Sequence, residues 1–329
     1  MTSGWSKRAR ASSRILTPLD AWTWRAASMA RLERLADSLA HPALFLTPAD
    51  LAALFEVDIT TVTAVRPQGL ADYPDLPVRI RGAFGRVLRS FGPPIVGRRD
   101  PAARPRAYDV IFEEIQVGHA NAKVAKPLVI RSDVIDRNLV ISVGLVGAAG
   151  FWRPDAAAAL VGALEGGIAY WENGRQKVPV TCIGARHERV AGFAPPTYGV
   201  REARLIFRTP LRLRAGDALV LSGPSFLIAL ANRVARLAQW MSARLDINWD
   251  EVHNQARRVE VDVDGLMPYR WSRGTQRART RLAMIGHLGP LVLRGDLRFW
   301  VPFLQIGAAV NAGSHASLGL GRYDLSLLP

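Results

Sequence analysis

The stretch that most constrains this chain is its C-terminal one, FWVPFLQIGAAVNAGSHASLGLGRYDL over residues 299–325. Apolar residues at helical spacing (Phe299, Phe303, Ile306, Val310) predict a helix. The run from Gly313 through Gly319 to Gly321 interrupts it, and a short alternating strand follows, Leu320 and then residues 322–325. The order is therefore helix, glycine-rich turn, strand. Lacking a Cβ, glycine lets backbone amides approach an anion closely. This turn closes a chain of 329 residues with 43 Lys and Arg against 28 Asp and Glu, a formal net charge of +15. The combination points to RNA.

A hydrophobic content of 49% marks a folded chain, long enough for two domains with a real core. Nearly all the positive charge is arginine, since lysine occurs only at Lys7, Lys123, Lys126 and Lys177. The guanidinium fork suits phosphate contact and base stacking. The lone cysteine, Cys182, excludes a disulfide framework and a cysteine-based zinc site, and fits a reducing cytoplasm. The N-terminal region reads as neither a secretory segment nor a membrane span, because Trp, Arg and Asp interrupt its apolar runs. The expectation is a cytoplasmic protein with no metal, cofactor or membrane contact.

Along the chain, residues 1–17 read as a basic arm and 18–40 as an amphipathic helix (Leu19, Trp22, Ala26, Met29, Leu32, Leu35, Leu39). Thr47-Pro48 opens a second short helix. Residues 46–65 are not a helix-turn-helix, because residues 57–65 alternate and are β-branched, as a strand requires. After that strand come a basic helix at 78–89, strands at 108–115 and 139–146, a helix at 154–164 and a strand around Thr181. This is β-α-β-β-α-β, the ferredoxin-like order. A second round has a strand at 204–214, a helix at 225–245, strands at 258–263, 282–285 and 291–297, and the terminal helix and strand. The fold class is α+β: two tandem ferredoxin-like domains, 55–190 and 191–329, behind an added N-terminal helical segment, 1–54.

Several blocks resemble the CRISPR-associated RAMP-superfamily endoribonucleases that cut precursor CRISPR RNA. LPVRIRGAFGRVLR (residues 76–89) resembles the first helix of that family, and Phe207-Arg-Thr-Pro-Leu-Arg212 the strand opening its second domain. Ile285-Gly-His-Leu-Gly-Pro-Leu291, Pro302 to Gly307 and Gly313 to Tyr323 resemble its C-terminal block and glycine-rich loop. Two departures stand out. Where many relatives carry a four-cysteine cluster this chain has Pro93, Pro94, Arg98 and Arg99, and where relatives place a His and a Lys it has Asn311 and Ser314.

The resemblance implies metal-independent attack of a ribose 2′-OH on the adjacent phosphate within a CRISPR repeat hairpin, leaving a 2′,3′-cyclic phosphate. The protein then stays with the crRNA and joins other effector-complex subunits. Such chemistry needs a base, a donor for the leaving oxygen and positive charge for the phosphorane. Histidine, with an ordinary pKa of about 6.5, is the natural acid or base. Family histidines lie near the first helix, yet residues 55–118 contain none. That leaves His41 or His119 reaching in, or Tyr73 and Arg81 at the matching location. Of the other histidines, His187 reads as part of a charged linker, His253 as a surface residue, His287 as part of a strand-turn and His315 as an RNA contact in the glycine-rich loop.

Further RNA contacts are expected from Arg79 and Arg86 on the basic helix and from Arg98 and Arg99 in the loop after it. The run PYRWSRGTQRARTR (residues 268–281) interleaves aromatics with arginines. Tyr269, Arg270, Trp271, Arg273 and Arg277 are its candidates for base stacking and phosphate contact. The glycine-rich block adds Gly313, Ser314, Ser317, Gly319, Gly321 and Arg322. Two rivals remain: a non-catalytic RAMP subunit that holds guide RNA, favoured by the missing histidine, and a general nucleic-acid-binding regulator.

Overall fold

The computed structural model describes residues 39–329 apart from 69, 71, 92–105, 114, 118–121, 170–176, 216–217, 220–222 and 275–280. The basic arm, and all but the last two residues of the expected helix at 18–40, lie outside the described residues.

Helix α1 (Pro48–Leu54) begins as its sequence dictates. Thr47 caps it by accepting from the Asp50 amide at 3.2 Å, and Pro48 takes the first turn. Strand β1 (Glu56–Val65) follows, and then α2 (Leu76–Ser90). Next come α3 (Ala107–Phe112), the hairpin β2 (Leu128–Ile135) and β3 (Asn138–Val146), α4 (Arg153–Glu165) and β4 (Cys182–Ala191). The sheet order is β2-β3-β1-β4, antiparallel throughout, which is the ferredoxin-like arrangement.

The second unit repeats the scheme. It comprises β5 (Glu202–Leu211), α5 (Gly223–Ala238), α6 (Trp249–Arg257), β6 (Glu260–Asp262), β7 (Met267–Gly274), β8 (Arg281–Arg294), α7 (Val301–Val310) and β9 (Tyr323–Leu328). Its sheet runs β6-β8-β5-β9, and β7 pairs with the first half of the long strand β8. The three-residue strand Leu44–Leu46 pairs in parallel with Ala243–Leu245, so the N-terminal segment is tied to the second unit. Among the described residues no helix is long and apolar enough to cross a membrane.

Several expectations need correction. The strand expected at 108–115 is helix α3. Ala107, Val110 and Ile111 share one buried face, and the Phe112 ring packs on Phe84 at 5.4 Å. Gly85 makes room for that ring, since a Cβ there would lie 2.5 Å from Phe112. The strand that belongs in this place is β2. The helix expected at 225–245 stops at Ala238, because Ser242 is left-handed (φ 53°) and turns the chain into Ala243–Leu245. The two strands expected at 282–285 and 291–297 form one strand, β8, and the expected strand at 258–263 shortens to β6, while α6 and β7 fill stretches left unassigned.

One core runs through both units. On one face of the first sheet, Val57, Ile59 and Val129 close around Gly144. Arg131, two residues beyond Val129, leaves the same face and donates to the Ala308 and Ala309 carbonyls at the end of α7, the latter at 2.8 Å. The opposite face carries Asp58, which is 3% exposed. Its carboxylate accepts from Arg189 twice, at 3.2 Å each, and lies 3.4 Å from His187 Nε2. His187 is thus a member of β4 and not of a linker. Its Nδ1 meets the Ile59 carbonyl at 3.0 Å and its Nε2 meets Arg153 at the start of α4.

Burial acts to raise the Asp58 pKa, but the hydrogen bonds from His187 and Arg189 outweigh burial and hold it below its ordinary 3.8. Its stabilising contribution is therefore complete above 3.8 and is lost as pH falls through the depressed value. Asp58→Asn should cost about 3 kcal/mol, because it strands Arg153 and His187 without their acid. In urea melts the variant's deficit should shrink toward zero as pH is lowered below that range. A deficit that stays constant with pH would refute the assignment.

Candidate nucleic-acid interface

The site forms where the glycine-rich turn of the second unit meets α2 of the first. Helix α7 ends at Asn311 (φ 63°), and four further residues of the turn have positive φ, among them Gly319 (87°) and Gly321 (69°). At Gly321 a Cβ would lie 1.9 Å from the Ala312 carbonyl oxygen. At Gly319 it would lie 2.3 Å from Pro77 of α2 and 2.8 Å from the Ile130 carbonyl of β2. Glycine at 319 is thus what lets the turn lie directly against α2 and β2.

The turn is a packed knot. The amides of Ala312, Ser314, Leu318, Gly319 and Gly321 donate to carbonyls of Gly321, Arg212, His315, Ala316 and Pro210 at 2.7–3.1 Å. These five are spent on the chain itself, so the expectation that the glycines present such amides to an anion is corrected. The rim of Gly313, Ser314, His315 and Ser317 is half-buried, whereas Gly319 and Gly321 are buried.

Beneath the rim lies Arg212, 8% exposed, whose Nε donates to the Ile285 carbonyl at 2.8 Å. One of its terminal nitrogens lies 3.2 Å from His315 Nδ1. A guanidinium can only donate, so Nδ1 accepts and the neutral imidazole carries its proton on Nε2. Arg322 turns away to the first unit, donating to Asp133 at 2.7 Å and the Ser132 carbonyl at 3.3 Å.

Across the junction, Asp75 occupies the N-cap of α2, but its side chain makes no cap bond. It accepts from the Tyr269 hydroxyl at 3.0 Å and from Arg79 at 3.2 Å, and the Arg79 guanidinium sits 5.7 Å from the Tyr73 ring centre. Burial, and then the Asp75 carboxylate, push the Tyr269 hydroxyl well above its ordinary range, so it stays protonated as a donor. Trp271 stacks beside Tyr269 at 5.8 Å and is 8% exposed, packed with Met284, Leu318 and Leu320.

The structure brings Tyr73, Arg79, Tyr269, Trp271 and the glycine-rich turn into one region. Arg81 instead points at Phe112, 4.3 Å from the ring centre. Val78, Gly82 and Arg86 follow one another at one-turn spacing on α2, the first against the Trp271 cluster and the other two exposed. Arg270 alternates with Tyr269 and Trp271 and so faces the other side of β7. Arg273 lies in β7, and Arg98, Arg99, His119 and Arg277 lie outside the described residues.

His41 lies at the other end of the first unit. It is three residues before Leu44, which bonds Ser242, and Ser242 lines the same hollow as Glu56 at the start of β1. Tyr73 follows the far end of that ten-residue strand, which itself spans roughly 30 Å at about 3.3 Å per residue. His287 is on β8 opposite Leu211 and Pro268, and burial lowers its pKa. His253 lies in α6. Sequence reasoning missed Asp75 and Arg212. The Asp-Leu-Pro opening of α2 reads as an ordinary helix cap, which hides a carboxylate diverted to the other unit.

Residues 205–323 match the family model "CRISPR-associated endoribonuclease Cas6". No curated protein matches the sequence. A Cas6 solved as its product complex aligns with 82% of this chain and 99% of its own at a TM-score of 0.51 and 17% identity. A Cas6 from Thermus thermophilus covers 83% of this chain and 100% of its own at 0.49 and 13%. A RAMP protein described as binding different RNA substrates covers 84% and 100% at 0.42 and 11%. The first likeness gives the tandem ferredoxin-like fold. Joined to the family match on the second unit, it supports a likeness to divergent proteins of the Cas6/RAMP type.

Tyr269→Phe should lower stability by about 1–2 kcal/mol, because a buried carboxylate loses one of its donors. Combined with Asp75→Asn, the two losses should fall short of their sum by at least about 0.5 kcal/mol. Additive losses would show that the hydroxyl and the carboxylate are not energetically joined.

Proposed function

We propose that this chain binds the repeat hairpin of precursor CRISPR RNA and cuts it as an endoribonuclease. The observation that carries the reading is the Cas6 match over residues 205–323, the unit whose glycine-rich turn is seated on α2. In the proposed reaction the ribose 2′-oxygen gives up its proton and bonds to the adjacent phosphorus. The 5′-oxygen leaves with a proton, and the product ends in a 2′,3′-cyclic phosphate. Binding holds the three reacting atoms in line. Arg79 and Arg212 supply positive charge to the phosphorane, with Tyr73 alongside Arg79 and the Nε2 proton of His315 as a hydrogen-bond donor. The protein then keeps the hairpin and joins other CRISPR effector subunits in the cytoplasm.

A non-catalytic RAMP subunit is the second reading, favoured by where two of the described histidines, His41 and His187, lie. His41 is at the opposite end of β1, and His187 is engaged by Asp58, Arg153 and a backbone carbonyl.

Purified protein incubated with repeat RNA in EDTA should cut once per repeat and leave a cyclic phosphate, detectable as a 3′ end that phosphatase frees for labelling only after acid has opened the ring. Arg79→Ala should slow single-turnover cutting at least about 100-fold, a loss typical of removing one charge-stabilising donor. Tight hairpin binding without cutting would decide for the second reading.

A further inference from the structure

Between α2 and α3 four planar groups stand in a row. The Arg81 guanidinium lies 4.3 Å from the centre of the Phe112 ring. Phe112 and Tyr108 stack at 5.3 Å with 7° between their planes. Arg89 follows, its guanidinium 5.6 Å from the centre of Tyr108. From Phe112 outward exposure rises: Phe112 is 9% exposed, Tyr108 is half-buried and Arg89 is exposed.

Packing accounts for the inner end, where Phe112 fills the gap over Gly85 and leans on Phe84. It does not account for the outer end, because an aliphatic side chain at 108 would cover Phe112 as well. Arg89, in the last turn of α2, is favoured there by the helix dipole, but the dipole does not require it to lie over a ring. The charges around the outer end are also one-sided. Asp109 is neutralised by Arg106 at 3.1 Å, whereas among the described residues neither Arg86 nor Arg89 has an ion-pair partner.

We infer that this ladder is a stacking site for an unpaired base of single-stranded RNA. Bases stack on aromatic rings and on guanidinium planes alike, and a row that already alternates the two is extended by a third plane of the same kind. The base lies on the outer end, against Arg89 and Tyr108, and Arg86, one turn back on the same helix, meets its phosphate. From Val78 at the cleft to Arg89 is eleven residues of helix, roughly 16 Å at 1.5 Å per residue. The ladder therefore serves a strand flanking the hairpin and not the hairpin in the cleft, and in that respect it rests on the reading above.

The test compares the protein with its Tyr108→Leu and Arg89→Gln variants on a bare repeat hairpin, the same hairpin with a single-stranded flank, and a short oligouridylate. The flank should tighten binding by the unaltered protein. Both variants should lose roughly ten-fold or more on the flanked hairpin and the oligouridylate, and nothing on the bare hairpin. Tyr108→Phe keeps the ring and should keep the affinity, which separates stacking from damage to the fold. Unchanged affinity of both variants for flanked and unstructured RNA would overturn the inference and leave the ladder as packing alone. If the protein ignores the hairpin yet holds oligouridylate through Tyr108, the hairpin reading falls and the ladder stands.

Discussion

The arrangement of this molecule depends on how the last helix ends. The final carbonyls of a helix have no partner within it, and together they form the negative end of its dipole. In α7 two arginines fill that role. Arg131 comes from β2 of the first unit and donates to Ala308 and Ala309; Arg233 comes from α5 and donates to Val310 and Asn311. Burial pushes the first guanidinium down to about 9 and the second to about 10, so both stay charged at neutral pH. For Arg233 burial is the whole cause, so its charge is answered by the helix end and not by a carboxylate. The glycine-rich turn starts at the next residue. Its position relative to the first sheet is therefore set by a charge from that sheet before any glycine acts.

From there the contacts follow in order. With the end of α7 held against β2, the turn has nowhere to go except along the first unit. Gly319 permits the approach to Pro77 and Ile130, and Arg322 completes it at Asp133. The β7–β8 hairpin then leans on the start of α2, where one buried carboxylate, Asp75, serves both a hydroxyl from the second unit and a guanidinium from the first. Sheet faces offer nucleic acid little here. That of the first unit is met by α7 at Arg131, and on the second, Arg204, Arg208 and Arg294 pair with Glu202 and Asp324. Among the described residues, the junction and the flank of α2 are the surfaces on which the proposed RNA contacts rest.

How much of this was legible in sequence depends on the range of the interaction that decides each element. Local signals worked: the Thr47-Pro48 cap, the β-branched run of β1 and the basic helix expected at 78–89 all appear, the last as α2. Residues 107–112 failed because Tyr, Val, Ile and Phe favour a strand locally, while their fate is decided by a pocket over Gly85, more than twenty residues away. The site was half legible for the same reason. Tyr269, Trp271 and the glycines announce themselves by composition, but nothing near Asp75 or Arg212 in the chain shows which distant groups they meet. His41 and Tyr73 are both plausible candidates by residue type, and only the length of β1 separates them.

One consequence concerns the aromatics of residues 268–281. As sequence they look like a stacking surface laid out for bases. In the structure Tyr269 spends its hydroxyl on Asp75, and Trp271 lies 8% exposed under Leu318 and Leu320, so both rings join the two units. A ring buried to hold an interface cannot also offer its face to a base without giving up the contacts that place it. If bases are to be stacked on this protein, the planes must come from elsewhere. The outer end of the row from Arg81 to Arg89 meets that requirement: its inner members are held by packing, and its last member faces solvent. The division is physical: one aromatic set fixes the geometry of the junction, and the other is left to contact the single strand.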